Sequence, residues 1–178
     1  MSASQVPPTR VTRLGDKQRH DRAALDRLLD SSRICHVAVD LDGLPTVFPT
    51  AFARDGDVLL LHGSTGSPWM HQVAGGAPIS VAVTALDGIV VARSAFESSL
   101  HYRSAMLFGA ASPLAGHVQA RALDLLTEAL IPGRVPEVRR PTSREAAATL
   151  RLEPLFGGPT SSPDGAEATA LRRALASA

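Results

Sequence analysis

Two stretches of this chain combine residue types that could do chemistry. The first is His62-Gly63-Ser64-Thr65-Gly66-Ser67-Pro68-Trp69-Met70-His71, which follows an apolar, strand-like run. Ser67 suits a helix N-cap and Pro68 the first helical position, and Gly75-Gly76 marks a stop. A strand end, a Gly/Ser loop and a helix start would bring together backbone N–H groups, hydroxyls and the positive end of a helix dipole, an arrangement that holds phosphate. The sequence is neither a Walker A loop nor GxGxxG, and a capped helix behind a plain loop explains it equally well. The second stretch is the polar cluster Arg93, Ser94, Glu97, Ser98, Ser99, His101, Tyr102, Arg103 and Ser104 between two apolar runs. It reads either as a ligand site or as a solvated loop.

The elements that must position these residues are short and mostly extended. Ala24, Leu25, Leu28 and Leu29 fall on one face of a helix over 21–30. Strand-like runs follow at Ile34–Asp40, Leu44–Arg54 and Val58–His62, and again at Val81–Leu86, Ile89–Ala92 and Ala105–Phe108. Pro45 and Pro49 donate no ladder hydrogen bond, so the second run is expected at a sheet edge or a bulge, with backbone groups of Thr46–Ala51 open to a ligand. Asp-Gly pairs at 42, 55 and 87 each separate two apolar runs and predict three hairpin turns. Repeated hairpins with short connections give a small antiparallel barrel or sandwich and exclude βαβ units. His117–Leu130 is the best helix pattern, with Val118, Ala122, Leu125, Leu126, Ala129 and Leu130 on one face. Thr142-x-x-Glu145 resembles a capping box, and Leu150–Leu155 a last strand. Residues 1–20 read as an N-terminal arm, 21–156 as the folded domain, and 157–178 as a Gly/Pro/Ser linker with an Ala-rich tail.

The 178 residues suit one domain with its own core. Lys plus Arg is 18 against 17 for Asp plus Glu, with Lys17 the only lysine. No basic stripe points to nucleic acid. The single cysteine, Cys35, allows no internal disulfide and reads as a buried, inert thiol. No apolar run reaches membrane-spanning length. The N-terminal segment lacks a signal peptide's apolar core, so a cytoplasmic location is expected. The histidines at 36, 62, 71, 101 and 117 lack zinc-site spacing, and no GxSxG supports a hydrolase.

TALDGIVVARSAFESSLHYRSAMLFG, preceded by LLLHGSTGS, is similar to the pyridoxamine 5′-phosphate oxidase-like flavoproteins, in particular the flavin-nucleotide-binding or nitroimidazole-resistance-like branch. The similarity runs from about Asp21 to Leu150. It implies a mainly β fold with flanking helices, an FMN-binding split β-barrel, and a homodimer with flavin at the subunit interface. It also implies that FMN is gripped by Val47, Phe48, Pro49 and Thr50 of the second strand, by His62, Gly63, Ser64 and Ser67, by Trp69 at the helix start, and by Tyr102, Arg103 and Ser104 of the returning strand. Relatives commonly carry Arg or Lys where this chain has Pro68 and Trp69, which leaves Arg103 as the expected counter-charge. Phe48, Trp69 and Tyr102 are candidate ring contacts, the last two equally readable as core residues. His62 would border the flavin or cap a strand end. A flavin would supply the redox chemistry. The resemblance implies an oxidoreductase that passes electrons from a reduced nicotinamide through FMN to a small organic acceptor. Alternatives on the same barrel are a non-catalytic flavin carrier or sensor, a deazaflavin protein, or a haem protein with a histidine as axial ligand. No catalytic residue is assigned.

Overall fold

A computed structural model describes residues 15–64, 66–114, 116–142 and 149–156. The expected capping box at 142–145, the N-terminal arm up to residue 14 and the tail beyond 156 lie outside them, wholly or in part. Helix α1 (Arg22–Ser31) is capped by Asp21, whose carboxylate accepts the Ala23 N–H at 2.9 Å. Strands β1 (Ile34–Leu41), β2 (Leu44–Asp55) and β3 (Val58–Ser64) follow, then α2 (Pro68–Ala74), β4 (Pro78–Val90), β5 (Ser99–Pro113), α3 (Gly116–Leu130) and β6 (Thr149–Phe156). All pairings are antiparallel, and the order β1-β2-β3-β6-β5-β4 closes on itself through β1 and β4. This is the mainly β barrel with flanking helices that the hairpin pattern predicts.

Two of the three Asp-Gly pairs make the expected turns. Asp42 (φ 54°) and Gly43 (φ 84°) both adopt positive φ, the pattern of a type I′ turn that joins Leu41 to Leu44. At the second, Gly56 (φ 61°) opens the two-residue loop between Asp55 and Val58. The third is different. Asp87-Gly88 lies inside the continuous strand β4, where the register with β5 shifts between Leu86 and Gly88. Asp87 is the unpaired extra residue of a β-bulge, and the chain reverses instead over 91–98. Ile89 and Val90 therefore extend β4, and His101, Tyr102, Arg103 and Ser104 sit within β5 rather than in a loop.

Alternation fixes the core. Cys35, Val37 and Val39 of β1, Ile79, Val81 and Val83 of β4, and Ala105 and Leu107 of β5 point inward and are buried with the apolar face of α1. Burial pushes the Cys35 thiol up to about 12, which makes it inert. Helix α3 packs outside, with Ala122 and Leu126 on Ala53 and Leu60, and so buries the outer face of β2 and β3 there. Val118 and Leu130, expected on that face, are exposed at its margins.

Candidate functional site

Strand β2 has two halves. Phe52–Asp55 pairs with β3, whereas Leu44–Ala51 pairs with β1 alone. The Phe52 N–H donates to the Arg33 carbonyl on the β1 side. Because the direction of backbone groups alternates along a strand, the even-numbered residues of this stretch face β1 and the odd-numbered ones face the open edge. Pro45 and Pro49 occupy open-facing positions, so neither costs a ladder bond, and Val47 presents its backbone N–H and carbonyl there. The side chains of Val47 and Pro49 are exposed, while Phe48 and Thr50 turn inward and are half-buried.

Strand β3 leaves β2 at this point and continues along β6, pairing His62 with Arg151, Gly63 with Leu150 and Ser64 with Thr149. A split opens between the free edge of β2 and the end of β3. One hydroxyl spans it: Thr50 Oγ1 donates to the His62 carbonyl at 2.7 Å. His62 itself is exposed. Gly63 is required by packing, because a Cβ there would lie 2.8–2.9 Å from Sδ, Cε and Cγ of the buried Met70.

The loop into α2 departs from expectation in its hydrogen bonds. Ser67 has N-cap backbone angles and Pro68 opens the helix, but the Ser67 side chain makes no capping bond. Its hydroxyl meets no partner among the described residues. Ser64 organises the loop instead, with its Oγ accepting the Gly66 N–H at 3.2 Å and its carbonyl the Ser67 N–H at 3.0 Å. The N–H groups of Gly66 and Ser67, expected to be open to a ligand, are thus satisfied internally. The hydroxyls of Ser64 and Ser67 remain as donors.

Trp69 is 8% exposed and stacks on Phe48, with ring centroids 5.1 Å apart and planes 15° from parallel. Its ring is thus packed in the core. The structure therefore brings Val47, Phe48, Pro49, Thr50, His62, Gly63, Ser64, Ser67 and Trp69 around one split. Tyr102, Arg103 and Ser104 lie elsewhere, on the part of β5 that pairs only with β4. Arg103 grips Asp87 with two bonds, Nε to Oδ2 at 2.9 Å and Nη2 to Oδ1 at 2.8 Å. These bonds hold the Asp87 carboxyl below the usual carboxylate range and raise the Arg103 guanidinium. The arginine expected as counter-charge thus already has a carboxylate partner in the single chain. Sequence reasoning missed Asp87, because an Asp-Gly pair reads as a turn.

A family profile described as pyridoxamine 5′-phosphate oxidase matches residues 21–155. The chain belongs to this family. No curated protein matches it. Among solved structures, the FAD and haem binding protein of Mycobacterium smegmatis is 53% identical with a TM-score of 0.74, covering 77% of this chain and 67% of that one. The flavocytochrome Anf3 of Azotobacter vinelandii is 33% identical with a TM-score of 0.75, covering 82% and 68%. A 5-nitroimidazole antibiotic resistance protein of Bacteroides thetaiotaomicron, described as putative, is 17% identical with a TM-score of 0.63, covering 75% and 78%, and shares the fold.

Proposed function

We propose that this family member is a flavin-binding redox protein that seats its flavin along the split between β2 and β3. The observation that carries the reading is the open half of β2. Two prolines stand where a ladder would need donors, so this edge is built to remain without a neighbouring strand, and it leaves Val47 backbone groups for a ligand. Thr50 holds the far wall of the split in place, and Ser64 and Ser67 offer hydroxyls to a phosphate. A flavin bound there would carry electrons between a reduced donor, a nicotinamide in our reading, and a small organic acceptor.

FMN is the cofactor expected from the sequence. We favour FAD, because the relative at 53% identity is described as binding it. That same description, together with a flavocytochrome at 33% identity, supports a second reading in which haem binds as well. His36, His62, His71 and His101 are all exposed, and one of them would serve as axial ligand. We further propose a homodimer. The outer face of β1, β2, β4 and β5 carries Ile34, Val47, Leu86, Ile89, Leu100 and Tyr102, all more than half exposed, and a second copy would cover this apolar patch.

The absorbance spectrum and mass of the cofactor that co-purifies test the proposal. Flavin bands with the mass of FAD are expected, with a Soret band beside them if haem binds too. FMN as the only flavin would restore the expectation from sequence. A Soret band with no flavin would overturn the flavin reading.

A further inference from the structure

We infer that the indole N–H of Trp69 is a hydrogen-bond donor to the cofactor in the split, an inference that rests on the flavin reading of that site. Trp69 is nine-tenths buried, and its indole carries a donor and no acceptor. Its ring stacks on Phe48 and packs within the apolar core cluster, and among the described residues no acceptor meets the N–H. Buried donors in folded proteins are paired. The ring's position explains the exception. Trp69 belongs to α2, directly after the Gly63–Ser67 loop, and it lies flat on Phe48 of the open half of β2. It therefore joins the two walls of the split, and its one polar atom has no partner among the described residues. The matching ligand group is an oxygen acceptor, either a flavin ring carbonyl or a phosphate.

Two measurements test this. Trp69→Phe keeps a flat ring on Phe48 and removes the donor. It should cost some apo-protein stability through the lost ring volume, and weaken flavin binding about three- to tenfold, the effect of one ordinary hydrogen bond. Loss with both riboflavin and FAD would place the acceptor on the ring, and loss with FAD alone would place it on a phosphate. Because Trp69 is the only tryptophan, the wild-type protein has a single indole N–H resonance, which should exchange more slowly with solvent once flavin is bound. This reads the same contact without any substitution. If wild-type protein binds flavin while Trp69→Phe binds it equally well and the indole exchange is unchanged, the inference fails alone. If wild-type protein binds no flavin, the reading beneath it fails first.

Discussion

Gly63 shows how a residue beside the split is chosen by packing. Any side chain there meets Met70, a fully buried residue of α2. Gly63→Ala must push Met70 aside, and overpacking of this kind costs about 1–3 kcal/mol. Chemical denaturation should show that loss, and an unchanged midpoint would mean that Met70 yields freely. Thr50, Ser64 and Ser67 are different, since each places a hydroxyl at the split. Their types and spacing were legible in the sequence. Their partners were not, because whether Ser67 caps its helix depends on loop geometry that a Ser-Pro pair does not specify. The burial of Trp69 was equally hidden, since its stacking partner Phe48 lies on a strand distant in sequence.

At the scale of elements, α1 is fastened to the β2–β3 hairpin by charge. Arg54 binds Asp30 at 2.7 and 2.8 Å and the Gly56 carbonyl at 2.9 Å, while Arg22 joins Asp26 and Asp57. The Arg54 hydrogen bonds hold the Asp30 carboxyl below its ordinary value. A carboxyl with a lowered folded pKa contributes stability above its unfolded value of about 3.9, and that contribution is lost as pH falls through the folded value. The pair is partly exposed, so the effect is modest. Asp30→Asn should lower the melting temperature slightly at neutral pH and converge with wild type in acid. Parallel curves at every pH would show that the pair contributes nothing.

The turns mark where sequence reasoning reaches its limit. Asp42-Gly43 and Asp55-Gly56 were legible because each turn is specified by its own few residues. Asp87-Gly88 carries the same dipeptide, yet it is a bulge. Its outcome depends on a ladder with β5 that extends along both strands to Val90 and Ser99, and local chemistry cannot reveal such pairing. The open half of β2 was legible for the opposite reason, since proline excludes a ladder bond wherever it stands.

Across the whole molecule, β4 and β5 run on together past the barrel as a two-stranded ribbon. Isolated ribbons are marginal in water, and this one exposes Leu86, Ile89, Leu100 and Tyr102 on one side and Phe96, 97% exposed, at its end. We expect a second copy to cover it. Ile89→Asp with Leu100→Asp should convert a dimer to a monomer in light scattering while leaving the barrel core folded. A wild-type protein that is monomeric at micromolar concentration would remove this proposal.

The central claim is that the split between β2 and β3 holds a flavin nucleotide. Titration of cofactor-free protein with FAD, FMN and riboflavin, followed by quenching of flavin fluorescence, tests it most directly. We predict saturable binding of one flavin per chain, with FAD and FMN held more tightly than riboflavin because Ser64 and Ser67 meet a phosphate. Thr50→Val, which cuts the hydroxyl bond across the split, should weaken all three. Absence of saturable binding by any of the three flavins would contradict the account.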